Sequence, residues 1–249
     1  MTEYLVFRLY APLASWGEAA VGETRPTATH PGRGAIIGLL AAALGIKRED
    51  EAEQRALCDS VHIAIKQRSP GILLRDYHTA QVPAAQAKVT YRTRRDELNA
   101  PRKVLNTILS SRDYRCDGLW TAAVWLTEGA NHTLEALETA LRRPSFPLYL
   151  GRKSCPLAAP LAPRRVEAEH LRGALDSVFD EVVPGEKRVL RLPDDVLYAW
   201  EGGPERLDGH DQVSGVQSSE VWDRPLNRRR WQFGPRVEFR RLEHHGEKR

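Results

Sequence analysis

The stretch Leu119–Leu126, LWTAAVWL, decides the fold. Its nearly continuous apolar run predicts a strand that is buried on both faces. Downstream, Thr133–Arg142 places leucines on one side of a helical pattern that ends before a proline. Upstream, Val61–Lys66 alternates as a strand, and Ile72–Thr79 predicts a strand that continues it or pairs with it. Two-sided burial requires further elements on both faces of the sheet.

The N-terminal part completes a recognisable order of elements. Tyr4–Tyr10 predicts a first strand, and the Leu- and Ala-rich Gly34–Leu44 predicts a helix. Asp50–Ser60 predicts a second helical stretch, and Phe146–Leu150 predicts a short final strand. The order strand, helix, strand, strand, helix, strand fits a ferredoxin-like unit, which RNA-recognition domains share. Fold alone does not name the function.

Two regions fall outside this unit. Ala80–Asp117 is too long for a hairpin loop and too polar for a core, which indicates an extended hairpin or a mobile insertion. After the proline-rich Pro156–Pro163, strand candidates follow at Arg188–Leu192, Val196–Trp200 and Arg236–Leu242. We therefore expect an α+β protein with a ferredoxin-like domain at 1–157, including the insertion 80–117, and a small β-rich domain at 158–249.

Composition narrows the classes of function. The 249 residues carry a formal net charge of only +4, so nucleic-acid binding depends on where the charge is concentrated. The start of the chain has no secretory signal pattern, and its longest apolar run, Ala35–Ile46, is shorter than the roughly 20 residues of a membrane span. Three widely spaced cysteines lack metal-ligand spacing. We expect a cytoplasmic protein with reduced thiols, no metal or other cofactor and no membrane partner.

Positive charge is concentrated between residues 88 and 115. This stretch has eight basic residues against three acidic ones, and Tyr91 and Tyr114 lie among them. Guanidinium groups bind phosphates, and aromatic rings stack on unpaired bases, so the mixture suits single-stranded RNA. The candidate contacts are Arg92, Arg94, Arg95, Arg102, Lys103, Arg112 and Tyr114. The alternative is a solvated hairpin that is charged for solubility.

A shorter candidate is Tyr149–Pro156, YLGRKSCP. Gly151 permits close approach to the main chain, Arg152 and Lys153 supply charge, and Ser154 supplies a hydroxyl donor. Together they predict a phosphate-binding loop, whereas the alternative is an ordinary turn with surface bases. The segment Gly32–Gly34 offers the N-terminus of a helix as a further phosphate site, or only a glycine-tolerant turn.

The catalytic signal is weak. Tyr77 and His78 are the most plausible pair for metal-independent cleavage of RNA. Neighbouring residues of a strand point to opposite faces, however, so the two side chains would not share one site. A base-stacking or core-facing role is favoured for both, and we predict that the protein is not an enzyme.

Several segments together resemble one known family. They are Pro12, Ser15–Gly17, Thr24–Thr27, Gly38–Leu40, Leu44–Ile46, Leu74–Thr79, Trp120–Thr127 and Tyr149–Pro156. In this order, over roughly residues 1–160, they resemble the CasD family of subunits of Cascade, the type I-E CRISPR surveillance complex.

The resemblance implies a non-catalytic subunit in antiviral defence with an RNA-recognition-type domain, a protruding thumb hairpin and a C-terminal β domain. Such subunits bind and kink the 5′ handle of the CRISPR RNA and cap the filament of backbone subunits. They also contact the large subunit, and they meet target DNA through the complex. Ala80–Asp117 would be the thumb. Trp16, Arg25, Arg33, Tyr77, His78 and Tyr149 would join the candidate contacts named above.

Two other hypotheses remain. In the related type I-C systems the corresponding subunit is itself the nuclease. The second hypothesis is therefore that this chain is a metal-independent endoribonuclease that processes CRISPR precursor RNA. The third hypothesis is a protein scaffold with an incidental basic hairpin.

Overall fold

The computed structural model describes residues 1–18, 20, 22–85 and 89–244. The strands are β1 (Thr2–Tyr10), β2 (Leu13–Ala14), β3 (Thr24–Arg25), β4 (Val61–Ser69), β5 (Ile72–Pro83), β6 (Leu105–Cys116), β7 (Leu119–Leu126), β8 (Arg164–Ala168), β9 (Asp195–Trp200), β10 (Gln217–Asn227) and β11 (Gln232–His244). The α-helices are α1 (Arg33–Leu44), α2 (Glu51–Ser60), α3 (Arg94–Leu98), α4 (Leu134–Arg142), α5 (Leu171–Leu175) and α6 (Glu186–Val189). The predicted α+β class is confirmed.

The main sheet has the strand order β10-β11-β9-β4-β7-β1-β8, and its neighbours are antiparallel. The interior strand β7, between β4 and β1, is buried from Leu119 to Trp125, as its sequence predicts. One face packs on α1 and α4 through residues such as Phe7 and Val124. The other face packs on α5 through residues such as Val6 and Trp125. Alternate residues of the same strands therefore pack into two separate hydrophobic cores, one on each face of the sheet.

The predicted final strand, Phe146–Leu150, is wrong. Residues 149–156 form a turn that is closed by an isolated bridge between Tyr149 and Pro156. The place of the predicted strand beside β1 is taken by β8, which pairs with residues 2–6 of β1. The backbone order is thus β1-α1-β4-β7-α4-β8, with α2 before β4 and the β5–β6 hairpin inserted between β4 and β7.

The part of the chain beyond residue 157 extends this sheet. Strand β9 pairs with β4 on one side and with β11 on the other, so hydrogen bonds cross the predicted boundary. The strands predicted at Val196–Trp200 and Arg236–Leu242 are confirmed within β9 and β11, whereas Arg188–Leu192 is wrong because α6 occupies its start. The division into domains 1–157 and 158–249 stays a prediction.

Strands β5 and β6 form a long antiparallel hairpin. Its register runs from Ile72 opposite Cys116 to Pro83 opposite Leu105. The hairpin therefore begins eight residues before the predicted insertion, and Ile72–Thr79 pairs with β6 rather than with β4. At its base, β6 also pairs with β2 and β3. Lys88, one of the basic residues counted in the sequence, lies outside the described residues. Among the described helices, none has the length and apolar character needed to cross a bilayer.

Candidate nucleic-acid interface

The loop 149–156 meets the base of the β5–β6 hairpin at Arg152. The guanidinium carbon of Arg152 lies 4.7 Å from the centre of the Tyr114 ring. Its two terminal nitrogens donate to the carbonyl oxygens of Asp113 and Arg25, each at 3.3 Å. Three segments far apart in sequence are thereby joined. Of the predicted contacts, the structure brings Arg25, Tyr114 and Arg152 together.

Gly151 fixes how this loop approaches the rest of the chain. Its φ is +86°, and a Cβ atom at this position would overlap the carbonyl oxygen of Ser15. The backbone N–H of Ser15 donates to the carbonyl of Leu150 at 3.0 Å, and the Ser15 hydroxyl donates to the carbonyl of Asp113 at 3.1 Å. Ser15 thus ties the loop to the hairpin. Sequence reasoning gives Ser15 no role of its own, because nothing in its local pattern signals a contact with a residue 98 positions away.

The outer part of the loop presents unused hydrogen-bond donors. The backbone N–H of Leu150 donates to the carbonyl of Cys155, and the N–H of Cys155 donates to the carbonyl of Arg152. Within the described ranges, no residue accepts a hydrogen bond from the backbone N–H groups of Arg152, Lys153 and Ser154. Lys153 and Ser154 are exposed. Successive free N–H groups beside cationic side chains are the arrangement that binds phosphate oxygens.

The buried carboxylate of Asp113 is neutralised by Arg75. The two side chains form a bidentate pair, with N–O distances of 2.8 and 3.0 Å. This hydrogen bonding lowers the pKa of Asp113 below its ordinary value, so the carboxylate stays ionised. Because Asp113 is already paired, the charges of Arg152, Lys153 and Arg112 remain available to a ligand.

Most predicted contacts of the hairpin are exposed along its length. They are Tyr77, His78, Arg92, Arg94, Arg95, Arg102, Lys103 and Arg112. Arg94 is paired with Glu97 at 2.6 Å inside the capped helix α3. Tyr77 and His78 are consecutive residues of β5, so their side chains project from opposite faces of the hairpin. The structure does not bring these two side chains into one catalytic site.

Trp16, one of the predicted RNA contacts, is buried and cannot reach a ligand. Its ring is 2% exposed and packs edge-on against Trp120, with ring centres 5.1 Å apart. The backbone N–H of Trp16 donates to the hydroxyl of Thr27. The side chain is a core residue, and its sequence context does not distinguish a buried tryptophan from one that stacks on a base.

Arg33, another predicted RNA contact, is also unavailable to RNA, because its charge is paired within the protein. The guanidinium pairs with Glu201 at 2.6 Å and donates to the backbone carbonyls of Cys58 and Val61. The N-terminus of α1, which the sequence offers as a phosphate site or only a glycine-tolerant turn, is occupied by the carboxylate of Asp223, which accepts from the Arg33 N–H at 2.6 Å. An internal anion therefore fills the site.

The chain is similar to proteins of CRISPR systems. The family described as CRISPR-associated protein (Cas_Cas5) matches residues 4–237. The CRISPR system Cascade subunit CasD of Escherichia coli (strain K12) is 38% identical over 169 residues, which cover 65% of this chain and 70% of that protein. A chain of a CRISPR RNA-guided surveillance complex shares the fold, with a TM-score of 0.64, 24% identity and coverage of 97% of this chain and 89% of the other. A second structure, of a Cas protein, has a TM-score of 0.55 at 24% identity and covers 98% and 96% of the two chains.

Proposed function

We propose, because this chain belongs to the Cas5 family of CRISPR-associated proteins, that it is a non-catalytic RNA-binding subunit of a Cascade-type surveillance complex. In this proposal it binds and kinks the 5′ handle of the CRISPR RNA and caps the filament of backbone subunits. Its partners are the CRISPR RNA, the backbone and large subunits and, through the complex, target DNA. The observation that carries the proposal is the junction at Arg152, where cations, an aromatic ring and free backbone donors meet.

The junction is suited to hold a phosphate chain in a bend. Arg152 is oriented by its contacts with two backbone carbonyls and the Tyr114 ring, so little side-chain entropy remains to be lost on binding. The free N–H groups of residues 152–154 supply directed donors for one phosphate. Arg25 and Arg112 are exposed and lie opposite each other in the β3–β6 pairing, where they extend the positive surface.

The architecture supports the same proposal. The order β4-β7-β1-β8, with α1 and α4 on one face, is the order of a ferredoxin-like unit, and we assign it to RNA recognition. We assign the β5–β6 hairpin to the thumb, and the predicted insertion 80–117 comprises its outer part together with the whole of β6. Its exposed arginine and lysine side chains would contact the RNA backbone beyond the junction.

The main test neutralises the junction. Arg152→Gln with Lys153→Gln removes two cations from the loop while it keeps Gly151 and its approach to Ser15, and circular dichroism checks that the variant is folded. In the assembled complex we expect lower retention of CRISPR RNA, most visible at high salt, with the slope of log affinity against log salt reduced by about 0.7 per lost phosphate contact. Arg188→Gln on α6 removes one exposed cation elsewhere and is the control. Unchanged RNA occupancy in the double variant would contradict the proposal.

The absence of catalysis has its own test. Purified chain is incubated with its cognate repeat RNA in EDTA, and the RNA should remain intact. Discrete RNA cleavage products that are absent with the His78→Ala variant would instead establish that the chain is an endoribonuclease in which His78 is catalytic.

A further inference from the structure

The turn between β10 and β11 carries an arginine-rich sequence that the junction at Arg152 does not include. Residues 228–231 read Arg-Arg-Arg-Trp. The side-chain oxygen of Asn227 accepts from the N–H of Arg230 at 2.9 Å, and Trp231 has a φ of +53°. A bulky residue seldom adopts a positive φ, because its Cβ crowds the following carbonyl. The backbone at Trp231 is therefore in an unusual conformation for a bulky residue.

Trp231 lies among cations from two elements. The guanidinium carbon of Arg48, between α1 and α2, is 4.6 Å from the centre of its ring, and that of Arg228 is 5.7 Å away. The ring is nevertheless 56% exposed. Part of the aromatic surface is thus free to contact a ligand beside two guanidinium groups.

The arginines of this turn differ from those that follow on β11. Arg236, Arg240 and Arg241 are each paired with carboxylates at 3.0 Å or less. Over the described part of the chain, by contrast, no carboxylate lies within 4.0 Å of the side chains of four arginines. They are Arg48, Arg228, Arg229 and Arg230. The cluster has a surplus of positive charge that the protein does not balance internally.

Arg228 is held in a largely desolvated position. Its terminal nitrogen lies 2.5 Å from the place that a Cβ atom on Gly38 would take, so the side chain runs over the glycine surface of α1. Burial lowers the pKa of Arg228, and the like charge of Arg48 lowers it further. An anion between the two guanidiniums would relieve both costs.

We propose that this Arg48–Arg228–Trp231 cluster is a second site for single-stranded nucleic acid. Trp231 stacks on an unpaired base, and Arg48 and Arg228 bind the adjacent phosphate. The site goes beyond the proposed function, since it lies on the β10–β11 turn rather than on the loop 149–156. The chemistry fits RNA and DNA equally, because neither a ring face nor a phosphodiester distinguishes them.

The test measures binding of labelled single strands of about 12 nucleotides, RNA and DNA of one sequence, to the full chain by fluorescence anisotropy. Trp231→Leu should weaken binding at least about fivefold, which is the lower limit for loss of one stacked base. Arg48→Gln with Arg228→Gln should weaken it and lower the salt slope by about 0.7, because the two arginines bind one phosphate. Arg188→Gln with Arg191→Gln, on exposed residues near α6, is the control of equal charge.

A further variant separates the effect of the position of the Arg228 side chain from the effect of its charge. Gly38→Ala keeps all arginines but displaces the end of the Arg228 side chain, so it should reproduce part of the loss. Circular dichroism establishes that each variant is folded. The turn variants should lose affinity for RNA and DNA alike, and a loss confined to one of the two strands would show that the site distinguishes them.

The outcomes separate this inference from the proposed function. If the turn variants bind like the control while Arg152→Gln with Lys153→Gln loses RNA, the second site is wrong and the first stands. If only the turn variants lose binding, the second site is supported and the junction is not. Turn variants that bind nucleic acid normally but lower the yield of assembled complex would show a protein contact and overturn the inference. A wild-type chain that binds neither strand would overturn it as well.

Discussion

Gly151 is the residue on which the geometry of the RNA-binding junction most depends. Its positive φ lets the loop pass directly over the carbonyl of Ser15, where no side chain fits. The same contact brings Arg152 over Tyr114. One glycine therefore determines both the local backbone and the position of the neighbouring cation.

We predict that Gly151→Ala lowers the free energy of unfolding by at least about 2 kcal/mol, because strain at positive φ adds to a clash with backbone. Urea denaturation measures the change. Gly129→Ala is the matched control, since Gly129 also has a positive φ, of +73°, but no atom lies within 4 Å of the place that its Cβ would take. It should lose only about 1 kcal/mol. Equal losses in the two variants would show that the approach to Ser15 is unimportant.

His30 makes stability depend on pH. It is 5% exposed, and its Nε2 lies 3.7 Å from Glu238, near Arg236 and Arg240. Burial lowers its pKa below the ordinary value despite the attraction of Glu238. The folded state therefore binds a proton less readily than the unfolded state, so the stability contribution is present above about pH 6.5 and is lost as pH falls below it.

We predict that the free energy of unfolding falls between pH 7 and pH 5 and that His30→Gln makes this fall smaller. Urea denaturation at the two pH values measures it. His210→Gln, at an exposed histidine, should leave the fall unchanged. The assignment to His30 is wrong if both variants retain the full wild-type difference.

At the scale of elements, the described sheet pairings attach the β5–β6 hairpin to the rest of the protein at its base. Strand β6 pairs with β2 at Cys116 and Arg115 and with β3 at Arg112 and Ser111. The paired residues farther out, up to Pro83 and Leu105, bond only to each other within the described sheet pairings. Stability and RNA binding should therefore be separable here.

We predict that replacing residues 81–107 with Asn-Gly leaves the protein folded and lowers RNA retention. The turn would join Ala80 to Ile108, which are partners in the register. The midpoint of thermal unfolding should stay within about 5 °C, and CRISPR RNA in the purified complex should decrease. Full RNA occupancy in this variant would show that the outer hairpin is not part of the RNA-binding surface. Collapse of the fold would show that its attachment is more extensive.

Elements with strong local patterns could be predicted from sequence. Strand β7 and helices α1 and α4 lie close to their predicted bounds. The continuous apolar run of β7, the Leu- and Ala-rich composition of α1 and the leucine spacing of α4 each indicate burial directly. The strand predicted at Phe146–Leu150 is wrong because only Leu150 of this stretch is buried in the core, while Phe146 is exposed and the chain turns after Leu150. Arg33 shows the same limit at a site: its partner Glu201 is 168 residues away, and no local pattern reveals such a pairing.

At the scale of the whole molecule, residues beyond 157 complete the structure begun by those before it. Strands β8 and β9 pair with β1 and β4, and α5 covers the face that includes Tyr4, Val6 and Trp125. A fragment that ends at 157 would expose this apolar face and two strand edges.

We predict that residues 1–157 expressed separately lack a cooperative unfolding transition, and that adding 158–249 restores it. Thermal denaturation monitored by near-UV circular dichroism tests both statements. Independent cooperative unfolding of the fragment would instead support a two-domain organisation with a boundary at 157.

The carboxylate of Asp223 at the start of α1 has a consequence for synthesis on the ribosome. It reaches back 190 positions to the N–H of Arg33. At about 5–20 residues per second, the ribosome takes roughly ten to forty seconds to cover that span. For this interval the first helix has neither its capping anion nor, until shortly before the end, the counter-charge of Glu201. The earliest helix of the nascent chain therefore reaches its full stabilisation only after Asp223 has been synthesised.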